Sequence, residues 1–250
     1  HSPKSLSVFG LAFFALVLVG AFAVRSAAGF GAVLIAVPML ALVLPVPTAV
    51  SVATALSVAT SLRHVGRDWR MIAWRQFAIL SFYTAIGIGV GFYCIKLLNE
   101  STLRRGLGGF LALYSVYVLG SGGALPVLPA RWHGVLAACA GIVGGFLGAL
   151  FGGGVGPIYV IYFNLLRLER EVFRVTMTAV VLVGGAARIA GYASFGFYRG
   201  MALVLLALGL PLVGIGSWLG DRIAHNVDPR RFSFFVGGLV LLSGVVLLLR

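Results

Sequence analysis

Two arginines, a row of small hydroxyl side chains and two clusters of glycine are the residues here with chemistry to offer. All of them lie inside apolar sequence. Arg25 stands four residues before Gly29-Phe30-Gly31, and Arg188 sits about two-thirds of the way along an apolar run from 172 to 195. A guanidinium in such surroundings is costly unless it finds a partner, and its planar, charged donors suit an oxyanion. For each arginine the alternative is to snorkel to an aqueous interface, and the segment of Arg25 can also simply end there. Thr48, Ser51, Thr54, Ser57, Thr60 and Ser61 follow the first glycine cluster, and Thr176 and Thr178 follow the second. Positions 51, 54, 57 and 61 recur at three or four residues and so share one helix face. Such a stripe either lines a polar path or holds helices together. If it lines a path, Thr54 and Thr178 are the leading ligands, with Ser57 beside them.

The glycines are the other half of this chemistry. Gly29 and Gly31 in one place, and Gly152, Gly153, Gly154 and Gly156 before Pro157 in another, interrupt apolar sequence where a helix would otherwise continue. A helix broken inside a bilayer leaves backbone N–H groups that must face a cavity or a ligand. The N-terminus of a half-helix carries partial positive charge, which suits an anion. The competing role is a packing notch, where the missing side chain lets helices approach.

What is missing narrows the chemistry further. All six acids (Asp68, Glu100, Glu169, Glu171, Asp221 and Asp228) fall in expected connectors, and no histidine lies in mid-segment. A carboxylate relay for protons or sodium is therefore disfavoured. No nucleophile and base stand together at membrane depth, so no catalytic residue is assigned and an intramembrane enzyme is disfavoured. Cys94 and Cys139 lack metal-ligand spacing, so no metal or cofactor is expected.

These residues are positioned by a polytopic membrane domain. From Leu6 to Leu62 the chain carries one charged side chain, Arg25. As helix that run is on the order of 85 Å, nearly three crossings of a ~30 Å hydrocarbon layer. Sixty per cent of the 250 residues are hydrophobic and 10% charged, which leaves no room for a soluble domain. Ten segments are expected, at 6–27, 30–45, 47–62, 74–98, 104–124, 132–151, 154–166, 172–195, 200–219 and 232–249. Segments 30–45 and 154–166 are short and follow glycine clusters, as re-entrant or tilted half-helices would. Leu6–Val24 is too long for a signal-peptide core and reads as a retained span. The net charge of +13 comes from short loops, as membrane orientation requires, so no nucleic acid partner is expected. If every segment crosses, twelve of the nineteen basic residues share one side, which puts both termini outside.

The two halves, 6–124 and 132–250, repeat one pattern within a single transmembrane domain, 1–250. Each opens on a glycine cluster and a proline, Pro38 or Pro157. Each then shows Gly-Ile-Gly, at 87–89 and 214–216, and later a pair of arginines, Arg104-Arg105 and Arg230-Arg231. About five segments per copy place the second copy upside down, the arrangement of an alternating-access transporter. The fold class expected is therefore an all-α integral membrane protein of two inverted repeats with glycine- and proline-broken helices.

Gly-x-Gly with an aliphatic run and Pro38, echoed by Phe151-Gly-Gly-Gly-Val-Gly-Pro157-x-Tyr159, resembles the TauE/SafE family over nearly the whole chain. That resemblance implies a multi-pass permease of the prokaryotic cytoplasmic membrane, exporting a small sulfur anion such as sulfite or an organosulfonate. The first half departs from the family's fuller glycine run, and the second follows its Gly-Pro variant. A non-transporting anchor or assembly subunit, or an anion channel, is the alternative. The working unit is left open between a monomer and a homodimer.

Overall fold

The structure is a computed structural model that describes residues 8–28, 32–120, 132–152, 155–166, 168–223, 238 and 240–248. Among them the chain forms nine α-helices with defined bounds besides a helical stretch near the end, one short 3-10 turn and no strand. The first five helices are α1 (Val8–Ala28), α2 (Ala32–Leu40), α3 (Val46–Asp68), α4 (Trp74–Leu97) and α5 (Glu100–Gly120). Then follow α6 (His133–Phe151), α7 (Val155–Leu165), α8 (Arg170–Ser194) and α9 (Met201–Ile223). Residues 240–248 are also helical. Five helices, α1, α4, α6, α8 and α9, are long and apolar enough to cross a bilayer.

The short segments behave as their glycines and prolines suggest. α2 is only nine residues long and carries Pro38 inside it. Pro38 has no N–H for the ladder, and the chain leaves the helix through turns at 41–44. The segment expected at 30–45 is thus mostly a half-helix. α7 has eleven residues, and Pro157 falls in its first turn, where its missing N–H is one of the orphans anyway. In the other direction, α3 runs past Leu62 through the stretch read as a charged connector and ends only at Asp68. Straight-chain Arg63 and Arg67 favour helix, and no proline stops it.

Packing follows an exchanged pattern. α1 packs on α9 and α4 on α6, while α3 packs against α8 at the centre. Glycine makes the two outer pairings possible. A Cβ on Gly87 would fall 2.2 Å from Ile142 O, and one on Gly145 would fall 2.2 Å from Thr84 O. On the other side, a Cβ on Gly216 would lie 2.6 Å from Val19 O and one on Gly220 2.3 Å from Ala23 O. These helices touch backbone to backbone, the close approach that small residues permit in a membrane. Gly89 and Gly214, the remaining members of the two Gly-Ile-Gly motifs, have open space instead. The notches are Gly87/Gly91 and Gly216/Gly220.

Apolar side chains also cover the outside. Phe9, Leu16, Phe82, Leu113, Leu203 and Trp218 are all more than half exposed. An apolar exterior of that extent is untenable in water and ordinary in lipid. The acids stay at the helix ends: Glu100 and Glu171 occupy the first turns of α5 and α8, where they oppose the positive end of the helix dipole.

Candidate anion-binding site

The hydroxyl stripe of α3 faces inward as its spacing predicts, and its members do different jobs. Arg25, near the end of α1, donates from Nη1 to Ser57 Oγ at 2.8 Å, Ser57 O at 2.9 Å and Thr60 Oγ1 at 2.7 Å. Its Nη2 donates to Ser61 Oγ at 2.6 Å. Thr60 and Ser61 in turn donate to Ser57 O at 2.8 Å each. The C-terminal half of the stripe is therefore occupied in bolting α1 to α3. Ser51 spends its hydroxyl on Thr48 O at 3.1 Å, and its carbonyl accepts from the Tyr198 hydroxyl at 3.0 Å. Thr54 is different. It is 1% exposed, and Thr54 Oγ1 has no hydrogen-bond partner among the described residues.

Arg188 shares that condition. It is 3% exposed, and its Nε and Nη1 are buried without hydrogen-bond partners among the described residues. A native protein leaves few such groups, and a charged one is the most expensive to leave. The helices that carry these two groups, α3 and α8, pack against each other one turn away from both. Gly185, one turn before Arg188, accommodates Val58, one turn after Thr54; a Cβ there would meet Val58 Cγ2 at 2.4 Å.

The break between α6 and α7 closes the layer from one side. Gly152 caps α6 with φ +70°, and its N–H returns to Gly148 O. Only glycine takes that backbone conformation without strain. A Cβ on Gly152 would lie 3.1 Å from Thr54 Oγ1, 3.1 Å from Val50 Cγ1 and 3.3 Å from Val33 Cγ1. α2, α3 and the end of α6 thus converge on Thr54. From α8, the Tyr192 hydroxyl donates to Ala149 O at 2.7 Å, and Gly148 O lies 3.3 Å away. That bond covers carbonyls that the broken helix would otherwise leave bare. The same hydroxyl lies near that of Thr54.

The charge of Arg188 acts on three tyrosines, Tyr159, Tyr192 and Tyr198. Tyr159, in α7, is fully buried and hydrogen-bonded to Thr84 of α4. Tyr198 lies in the connector after α8, where burial pushes its hydroxyl up to about 12, so it remains a donor at neutral pH.

Of the residues singled out in sequence, the structure gathers Thr54, Gly152 and Arg188. It places Arg25 and Ser57 together, but in the α1–α3 bolt. Thr178 lies outside the cluster, with its hydroxyl on Arg174 O at 2.8 Å; Thr176 accepts from Ala73 N at 2.9 Å. Gly29, Gly31, Gly153 and Gly154 lie outside the described residues, as does the side chain of Pro157. The tyrosines were not picked out in sequence as site residues. Tyr192 follows Arg188 by one turn and Tyr159 closes the glycine-proline motif, and those two spacings were the signals available. Among the described residues no cluster of His, Cys, Asp or Glu is arranged to hold a metal.

An all-helical chain with an apolar exterior, several apolar helices of spanning length and a desolvated, unpaired cation inside belongs to the class of multi-pass membrane proteins. The model of the sulfite exporter TauE/SafE family matches residues 12–247. The chain is a member of that family, a membrane transporter and not an enzyme. No curated protein and no solved structure matches it.

Proposed function

We propose that the protein is a secondary permease of the prokaryotic cytoplasmic membrane that exports a small sulfur oxyanion, sulfite or an organosulfonate. The observation that carries this is the Arg188 guanidinium, 3% exposed and with Nε and Nη1 unpaired among the described residues, one helical turn before Tyr192, whose hydroxyl reaches the end of α6 at Ala149 O. Such donors cost free energy in the empty protein and recover it when an oxyanion arrives. The N-terminus of α7, entering from the α6–α7 break, adds partial positive charge. Gly29, Gly31, Gly153, Gly154 and Pro157 are assigned to the anion site by their place in the sequence.

Two inverted repeats would supply alternating access. Exchanging the halves turns α1 on α9 into α6 on α4, and α3 on α9 into α8 on α4, while α3 on α8 maps onto itself. That correspondence supports repeats at 6–124 and 132–250. Burial of Arg188 and Thr54 fits an occluded carrier better than an open channel. The site is built from one chain, so a homodimer would carry two of them. No titratable carboxylate stands beside Arg188 among the described residues, and an inside-negative potential drives an anion outward with ~2.3 kcal/mol per charge per 100 mV.

The test is sulfite efflux from proteoliposomes, wild type against Arg188→Ala at matched incorporation. Loss of flux in the variant is expected. Equal flux would remove Arg188 from the path, and no flux from wild type would remove sulfite as the cargo.

A further inference from the structure

We propose that the site accepts a sulfur oxyanion carrying a single negative charge and excludes the dianion. This selection rests on the anion site proposed above and adds the charge state of its occupant.

The charge inventory around Arg188 is short. Tyr159 from α7, Tyr192 from α8 and Tyr198 from the following connector feel its charge, and no other charged side chain acts on these three among the described residues. Other cations described on the packed helices are engaged elsewhere. Arg25 is held by Ser57, Thr60 and Ser61 of α3. Arg75, in the first turn of α4, acts on Tyr162, and Lys96, in its last turn, lies over the Phe195 ring. Arg70 lies in the 3-10 turn after α3, over the Trp69 ring. The acids stand at helix ends, Glu171 paired with Arg174 and Glu100 with Arg104. The sequences of both breaks, 26–31 and 151–157, contain no charged residue. At the α6–α7 break the two helix ends carry partial charges of opposite sign, and Tyr192 covers part of the negative one.

Among the described residues the layer therefore holds one net positive charge. A monoanion cancels it. A dianion leaves one buried negative charge without a counterion, and hydroxyl donors spread that charge without neutralising it. Among sulfur oxyanions this separates species sharply. Hydrogen sulfite and alkylsulfonates carry one charge, whereas sulfate and fully ionised sulfite carry two. Sulfite gains its proton near neutrality, so the pH of the donor compartment sets how much cargo is admissible. The groups that face the site among the described residues are tyrosines and one guanidinium, with no carboxylate or histidine acting on them.

The experiment measures flux of sulfite and of methanesulfonate in wild-type proteoliposomes. Two pH values are used, one unit below and one unit above the protonation of sulfite, with sulfate as competitor. Sulfite flux should fall roughly tenfold across that interval, as a one-proton titration does. Methanesulfonate flux should not change, and sulfate should not compete. Sulfite flux independent of pH, equal competition by sulfate, or a parallel fall for both cargoes would each overturn the selection of a monoanion. If neither sulfite nor methanesulfonate moves at either pH, the anion site itself fails, and this selection with it.

Discussion

Replacing Arg188 by methionine should make the empty protein more stable while destroying its transport, and replacing Arg25 should do the reverse to stability. In the structure Nε and Nη1 of Arg188 are buried without partners among the described residues. At about 1 kcal/mol or more for each orphaned buried group, the unloaded site carries a strain on the order of 2 kcal/mol. Methionine fills similar space without those donors. In a chain of this size the gain corresponds to a Tm about 4–8 °C higher. Arg25 instead makes four hydrogen bonds to α3. At about 0.6 kcal/mol each between membrane helices, Arg25→Met loses on the order of 2 kcal/mol and its Tm falls by a similar interval. The assay is thermal unfolding of purified protein in detergent, with and without sulfite. At a hundredfold excess over Kd, ligand should add about 2.7 kcal/mol to wild type and nothing to Arg188→Met. A loss of stability in Arg188→Met equal to that in Arg25→Met would refute the reasoning, because Arg188 would then have partners of its own in the empty protein.

Thr54→Val removes a hydroxyl whose nearest donor, the Tyr192 hydroxyl, is already given to Ala149 O. Stability should stay within about 0.5 kcal/mol of wild type, while sulfite affinity, read by the ligand-induced Tm shift, drops about tenfold for one lost bond to a charged group. Gly152→Ala forces a Cβ into a backbone at φ +70° and into contact with Thr54; a cost of about 1–2 kcal/mol should appear as a lower Tm and slower efflux. Gly145→Leu should abolish folded protein on size exclusion, since its Cβ meets Thr84 O, whereas Gly89→Ala, with open space around it, should elute as wild type. Clamping the membrane potential to zero should slow efflux from its inside-negative rate, and an unchanged rate would exclude potential as the drive.

Much of the architecture is legible in the sequence, because a bilayer imposes a length on apolar runs and glycine and proline mark where helices break. Pro38 and Pro157 announce α2 and α7 as short pieces. Harder to see is where α3 ends, since Arg63–Asp68 reads as connector and yet continues the helix. The site is legible in part. Arg188 and Thr54 stand out as polar groups in apolar surroundings, but the stripe containing Thr54 looks uniform in one dimension. Only the approach of Arg25 distinguishes Ser57, Thr60 and Ser61, which hold a helix, from Thr54, which does not. Thr178 occupies the equivalent place after the second glycine cluster and turns its hydroxyl back to its own helix. Periodicity gives the face of a side chain, not its partner, and partners here come from helices far apart in the chain. The glycine notches show the same limit: the pairs that align in sequence are offset from those that touch.

The pairing of α1 with α9 also dictates an order of manufacture. Ser26 donates to Asp221 across 195 residues, and the carbonyls of Val19 and Ala23 wait for Gly216 and Gly220. α4 and α6 are close neighbours in the chain and can associate soon after they leave the ribosome. α1 cannot: it stays without its mate until the seven helices between it and α9 have been made. A chain interrupted before α9 therefore presents α1 as an unmatched surface to the cell's quality-control proteases, so completion of the C-terminal half is the checkpoint for keeping the N-terminal half.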